Sequence, residues 1–345
     1  MAHLDRVFRS NLKLRHLQLV VALDEFRHLG RTAEFLAVSQ PAVSRMLAEI
    51  EAMLGLALFE RSSRGTEPTQ AGASMVRFAR GVLAQYERTR DEIGAAASGA
   101  AGRARVGSMA VAVPVLLARA VECLKAQSPR ATVLIEEGDL THLLPKLRLG
   151  ELDFFVGRLE PGYAAPDLAT ETLYDEPMVA VAPASSAIAS KRRPAWADIA
   201  ALPCVMPPPW ASLRVKLEQQ FHRHGVAPSA DLMETSSYLA ALNLVGQRGA
   251  VGFLAELAAR HFERQGLCRI LRIPLELDVP PVGIITLREA RLSASSTQLL
   301  QCLRDVAAGL RRSRPPSPAR AAPRRSTARP PPARSAGPRA PGARS

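Results

Sequence analysis

Ser39-Gln40-Pro41-Ala42-Val43-Ser44-Arg45-Met46-Leu47-Ala48-Glu49-Ile50 reads as the opening of a capped amphipathic helix. Ser39 is a good N-cap, because its hydroxyl can accept from one of the first, otherwise unpaired N–H groups. Pro41 suits a first turn, where a missing N–H costs nothing. Val43, Leu47, Ile50 and Leu54 recur at helical spacing and form the inward stripe. Gln40, Pro41, Ser44, Arg45 and Ala48 therefore point outward. Upstream, Leu14, Leu17 and Val21 mark a first helix that Asn11 can cap. A short second helix covers about Gly30 to Ala37, with Ala33 and Leu36 inward. Two short helices joined by a tight turn, the second polar in its N-terminal half, describe a helix-turn-helix.

Such a helix fits the major groove, where its N-terminal residues meet base edges. Gln40 can bond adenine in bidentate fashion and Arg45 guanine, while Ser44 can serve base or phosphate. Downstream, Leu58 to Pro68 reads as two extended pieces that turn at Arg64-Gly65, a wing. Phe59 would anchor it, and Arg61 and Arg64 would reach phosphates or a minor groove. The same spacing also suits an ordinary pair of packed helices with one solvated face. Charge does not choose between the two, since residues 1–65 carry nine basic and seven acidic side chains.

The chain has 345 residues and a formal charge of +13. Ten of those positive charges are arginines in residues 311–345, which leaves +3 for the rest. That last stretch also holds nine prolines and no acid, and is expected to be disordered. At 47% hydrophobic residues the remainder can bury a core. No apolar run approaches the roughly 18–20 residues of a membrane helix. The charged opening Met1-Ala2-His3-Leu4-Asp5-Arg6 lacks a signal-peptide core. Cys123, Cys204, Cys268 and Cys302 match no zinc or disulfide spacing, which favours a reduced, cytoplasmic setting.

Residues 70–98 form a long helix that Thr69 can cap, ending in a hinge of small residues near 95–102. Met75, Val82 and Thr89, with Ala79, Tyr86 and Ile93, make an a/d series suited to pairing with a second copy. Packing on the same chain is the alternative reading of that stripe. A dimer would place two recognition helices on an interrupted palindrome.

From Arg103 to about Leu310, short apolar strands alternate with helices, which implies α/β lobes with a mainly parallel sheet. Strands are expected at 103–107, 131–136, 152–156, 179–181, 204–206, 250–252 and 282–287. Crossings near Pro177 and Pro280 give lobe I as 103–177 and 280–310, and lobe II as 178–279. Open α/β sheets bind ligands at the carboxyl ends of their strands. Ser108, Asp139, Thr141 and Arg158 occupy such ends in the first lobe; Met206, Pro208, Thr235 and Ser236 do so in the second. Ser108 and Thr235 also read as helix caps, and Arg158 as a surface ion pair.

The run Ser39 to Arg45, with Glu49-Ile50-Glu51, Leu54-Gly55, Leu58-Phe59-Glu60-Arg61 and Thr69-Gln70-Ala71-Gly72, resembles the LysR family of bacterial transcription regulators in order and spacing. The likeness continues to about Leu310. Three departures stand out: Thr32-Ala33 replaces two alanines, His28 replaces a Ser that often caps the second helix, and Met46 replaces a polar residue. The resemblance implies a winged helix-turn-helix over 12–69, a dimerising linker helix over 70–98, and a two-lobed effector domain like a periplasmic binding protein over 103–310. It implies that Arg31 and Thr32 join the DNA contacts, and that the protein forms a homodimer or homotetramer. A small-molecule effector would sit between the lobes. Val106-Gly107-Ser108, Gly150-Glu151-Leu152-Asp153 and Val156-Gly157-Arg158-Leu159 resemble the subgroup that includes a galactose-binding-protein regulator, which points to a sugar or sugar acid.

No cofactor or metal is expected. His222 and His224 diverge at i, i+2 on a helix. Gly249-Ala250-Val251-Gly252 follows a helix and opens a strand, the reverse of a dinucleotide loop, and reads as a helix stop. A hydrolase or transferase using the cleft is the enzyme alternative, and no nucleophile–base pair supports it. A solute sensor without a DNA role is the other alternative, and the N-terminal motif speaks against it.

Overall fold

The computed structural model describes residues 6–62, 65–98, 102–290 and 292–312. Three helices, α1 (Leu14–Phe26), α2 (Leu29–Phe35) and α3 (Gln40–Leu54), open the chain after a π-helical turn at Val7–Asn11. Asn11 ends that turn instead of capping α1. The α1 N-cap is Lys13, whose N–H donates to Nδ1 of His16. The His28 ring caps α2 by accepting from the N–H groups of Gly30 and Arg31, so this departure from the family pattern keeps the capping function. Ser39 caps α3 by accepting from the Ala42 N–H. Val43, Leu47, Ile50 and Leu54 are buried, as their spacing requires.

The wing is an antiparallel hairpin of β1 (Phe59–Ser62) and β2 (Gly65–Pro68). Glu51 holds its base, accepting from the N–H groups of Leu58 and Phe59 at 2.7 and 3.1 Å. Its far end docks on α1, where the Thr66 N–H donates to the Arg27 carbonyl. Gly65 has φ +127°, and a Cβ there would lie 2.6 Å from that same carbonyl. Only glycine meets both demands. Thr69 caps the long helix α4 (Gln70–Ser98) through the Gly72 N–H. Gly72 passes so close to the Leu58 carbonyl that a Cβ would sit 1.9 Å from it.

The a/d series of α4 divides in two. Met75 and Ala79 are buried in the N-terminal core, with Val82 packed against it. Tyr86, Thr89 and Ile93 are exposed. The first half of the expected pairing seam therefore belongs to the protein's own core, because α4 lies against α1; the second half remains open.

The rest forms two five-stranded sheets. The first has the order β4-β3-β5-β12-β6, built from β3 (Arg103–Ser108), β4 (Thr132–Glu137), β5 (Phe154–Arg158), β6 (Leu168–Tyr174) and β12 (Val282–Leu287). The second has the order β11-β7-β10-β8-β9, from β7 (Met178–Ala182), β8 (Cys204–Met206), β9 (Leu232–Glu234), β10 (Val251–Ala255) and β11 (Arg269–Ile270). Around them lie α5 (Ala118–Gln127), α6 (Leu140–Arg148), α7 (Ala187–Ser190), α8 (Trp196–Ala200), α9 (Ser212–Arg223), α10 (Tyr238–Arg248), α11 (Glu256–Arg264) and α12 (Ala294–Arg312). Neither sheet is mainly parallel. In each, two pairings are parallel and two antiparallel. One strand in each sheet is reversed, and each is the strand on which the chain enters a lobe: β7 opens the second sheet and β12 returns to the first.

Alternate residues feed opposite faces of each sheet. Val106, Phe154, Val156 and Ile284 join a large core with Ala180, Val251 and Phe253 of the other lobe. Phe155 and Ile285 face α6 on the far side. Val181, Val205 and Leu254 face α10. The chain leaves the first sheet through residues 175–177 and returns through 271–281. The terminal helix runs through Arg312, two residues into the stretch expected to be disordered; residues 313–345 lie outside those described.

Candidate functional site

Helix α3 presents Gln40, Pro41 and Arg45 to solvent, with Ser44 half-buried between them. Arg31 on α2 is exposed beside this face. Thr32 is not available. It is fully buried, and its hydroxyl donates to the His28 carbonyl at 3.0 Å. A step of one residue along a helix turns the side chain by about 100°, which carries Thr32 from the exposed face into the core. Arg61 lies in β1 opposite Thr66, and Arg64 falls outside the described residues.

Beneath the recognition face, His16 is completely buried, with its Nε2 3.9 Å from Glu49. Burial lowers its pKa below the ordinary histidine value, and Glu49 offsets only part of that. The neutral ring matches its role, because Nδ1 must accept from Lys13. The first helix thus begins on a histidine that needs to stay unprotonated.

The interlobe region differs from its sequence reading. Ser108 ends β3 fully buried, with its hydroxyl turned to the Met109 carbonyl. Met206 and Pro208 are also buried, Met206 in the large shared core. None of these three side chains is open to solvent. Arg158 is neither a surface ion pair nor open to a ligand. It donates to the Pro280 carbonyl at 2.7 Å, the Glu176 carbonyl at 2.8 Å and the Met178 sulfur at 3.2 Å. It thus pins both interlobe crossings to the end of β5.

Asp139 caps α6, accepting from the His142 N–H and meeting the hydroxyl of Thr141 and the His142 ring. Burial pushes its carboxyl up, but those bonds outweigh burial and hold it below the usual range. Thr235 accepts from the Ser237 N–H in a turn, and Ser236 is exposed beside it. These side chains serve local caps and turns.

A cavity of about 560 Å³ does open between the lobes. One wall is Ala110, Val113, Pro114 and Glu137; the other is Ser237, which caps α10, Tyr238, Leu242, Asn243 and Gln247 of that helix, and His261 and Phe262 of α11. None of the eight residues nominated from strand ends lines it. Its size falls within the range of small-molecule sites, and its walls are apolar with a few polar groups. Asn243 and Gln247 lie one turn apart, the spacing of one helix face, and that was their only signal in the sequence. Among the described lining residues there is no Lys or Arg. Across the cleft, the Ser212 hydroxyl donates to Glu160 at 2.8 Å and joins the lobes.

A second polar centre links α4 to the first lobe, and sequence reading assigned it no role. Asp153 is buried at the foot of β5. It accepts from Arg88 at 2.8 Å, from the Arg105 N–H at 2.8 Å and from the Ser296 hydroxyl at 2.7 Å. Arg88 also reaches the Gly150 carbonyl, and Arg105 pairs with Asp91 on α4. The long helix is thereby fixed to the β3–β5 end of the sheet.

Among the described residues no His, Cys, Asp and Glu cluster could hold a metal, and no helix is long and apolar enough to cross a membrane. Burial pushes the Cys204 thiol up to about 12, far from a reactive thiolate at neutral pH.

Known proteins share both halves of this arrangement. The family description "LysR substrate binding domain" matches residues 97–308, and "Bacterial regulatory helix-turn-helix protein, lysR family" matches residues 14–73. The HTH-type transcriptional regulator GbpR of Azospirillum brasilense is 32% identical over 299 residues, covering 86% of this chain and 87% of that protein. The crystal structure of CbnR, a LysR family transcriptional regulator, superposes with a TM-score of 0.66 at 21% identity, covering 86% of this chain and 99% of that one. Full-length CbnR complexed with its target DNA gives 0.65 at 21% identity, covering 86% and 100%. An exposed recognition helix, a two-lobed domain with a cleft and these matches lead to one conclusion: the chain belongs to the LysR family, as a DNA-binding transcriptional regulator with an effector-binding domain and not an enzyme.

Proposed function

We propose that two copies of this chain act in the cytoplasm and read an interrupted palindrome, each through Gln40, Pro41, Ser44 and Arg45. Arg31, Arg61 and Arg64 supply phosphate contacts. The observation that carries this reading is the α3 face, with Gln40, Pro41 and Arg45 exposed behind a capped N-terminus. The open half of the α4 seam, Tyr86 and Ile93, supports pairing between copies. We divide the chain into a DNA-binding unit over 12–69, a linker over 70–98 and an effector domain over 103–310, and leave the tail outside the switch.

The effector binds in the interlobe cavity and is an uncharged, hydroxyl-bearing ring, a neutral sugar in preference to a sugar acid. The cavity's described walls offer Glu137, amides, the His261 ring and apolar surface but no Lys or Arg. Arg158 is spent on the crossings, and Arg214 on Glu218 and Glu234. An anion entering there would lose its hydration without a counter-charge. Footprinting the purified protein on DNA upstream of its own gene tests the DNA reading. Two protected half-sites on one face of the duplex are expected, and a single site or no site would refute it. Calorimetry with neutral aldoses against their aldonic acids tests the ligand class. Binding of the acids alone would refute it.

A further inference from the structure

Helices α5 and α12 pack side by side in the first lobe, and each brings one cysteine to their seam. Cys302 on α12 is buried, while Cys123 on α5 is half-buried at the edge. The Cys302 thiol neighbours Cys123 closely enough for Cys123 to help raise it. The side-chain amide of Gln127, one turn beyond Cys123, approaches both sulfurs, Cys123 at 3.4 Å and Cys302 at 3.8 Å. The other two cysteines, Cys204 and Cys268, are buried in the second lobe, where burial raises their thiols to about 12 and about 11. They sit in separate cores, Cys204 in the shared one and Cys268 on the α10 face of the second sheet.

We propose that Cys123 and Cys302 are a modification site, forming an intramolecular disulfide when the protein meets a hydroperoxide. Access sets the order of events. Cys123 is the sulfur a solvent oxidant reaches first. Burial, followed by the neighbouring Cys123, pushes the Cys302 thiol up to about 12, so it stays protonated and does not compete for the oxidant; its place beside Cys123 makes it the resolving partner.

In the first step the Cys123 sulfur attacks one peroxide oxygen and the O–O bond breaks. The displaced oxygen takes the proton lost by Cys123 and leaves as an alcohol, or as water when the oxidant is hydrogen peroxide. Cys123 is then a sulfenic acid. In the second step the Cys302 sulfur attacks the Cys123 sulfur, the S–O bond breaks, and the hydroxide released combines with the Cys302 proton as water. The two sulfurs have given up two electrons, and the O–O bond has accepted them.

The test treats the full-length protein with hydrogen peroxide, unfolds it, alkylates the remaining thiols and maps the peptides by mass spectrometry. Two of the four thiols should be lost, and the peptides carrying Cys123 and Cys302 should appear joined, lighter by two hydrogens than their sum. In C123S the joined peptide should vanish and Cys302 should stay alkylatable. In C302S, Cys123 should accumulate as a sulfenic acid that dimedone traps. C204S should behave as the wild type. Four alkylatable thiols after treatment would overturn the proposal. So would sulfinic acid at Cys123 with no joined peptide, or a link only between two chains. The wild-type result decides by itself, so a variant that folds poorly leaves the outcome clear.

Discussion

Arg45 and Arg158 carry the same guanidinium in opposite situations. Arg45 stands exposed on α3, and among the described residues no hydrogen bond or ion pair holds it. Arg158 is 7% exposed and spends its donors on two carbonyls and a sulfur at the interlobe crossings. The first arginine is free to read an external acceptor at little cost to the fold. The second is part of the frame, and burial drags its pKa down while the nearby Tyr238 and Glu176 pull the other way. Asp153 belongs with Arg158, for it is buried and satisfied by three donors from three elements. Asp153 and Arg158, which hold this molecule together, are enclosed and bonded several times over; Arg45, which faces outward, is not.

Mutation can break this contrast. The largest effect is expected at Asp153→Ala, which strands Arg88 beside a buried vacancy. Removing one member of a buried pair costs about 3–5 kcal/mol. Urea unfolding should show that loss, and a change under about 1 kcal/mol would mean that the joint does not bear on stability. Arg158→Met follows. It leaves two enclosed carbonyls unpaired at about 1–3 kcal/mol each, and the surviving folded protein should keep its operator affinity. Loss of effector affinity with undiminished stability would instead return Arg158 to the ligand site.

Arg45→Ala should reverse the pattern. Stability should move by no more than about 0.5 kcal/mol, as for an exposed site. Binding to the footprinted site should weaken by about 1–3 kcal/mol, with relaxed preference at one base position. Equal weakening on every sequence in a gel-shift series would make Arg45 a phosphate contact.

The smallest effect concerns pH. The folded pKa of His16 lies below its unfolded value of 6.5, so the unfolded chain takes up the proton first. Its contribution is fully present above pH 6.5 and is lost as pH falls through the folded pKa. The melting temperature of the DNA-binding unit should therefore drop on acidification below 6.5, and drop less in His16→Gln. Parallel pH curves for the two would assign the acid sensitivity to other groups.

Legibility followed the same division. Ser39, Thr69 and the stripe Val43, Leu47, Ile50 and Leu54 were readable because a cap and its N–H, or successive turns of one helix, are neighbours in the chain. Thr32 was misplaced because the identity of its neighbours does not reveal which side of a two-turn helix faces inward. Ser108 and Met206 were expected at open strand ends and are buried, for a different reason. Strand alternation separates two faces, yet here both faces are covered, so the end of a strand need not open on solvent. Half of the α4 series was ambiguous until α1 was seen lying against it.

The amino-acid order alone determined the winged helix-turn-helix, its outward side chains, the long helix and the strand–helix alternation of the two lobes, because each is encoded by contacts a few residues apart. Tertiary structure decided what stands between the lobes. The cavity walls come from residues 110–137 and 237–267, and the clasp of Arg158 joins residues 158, 176 and 280. No local pattern specifies such distant partners, since they meet only when two sheets, each built from separated strands, fold against one another.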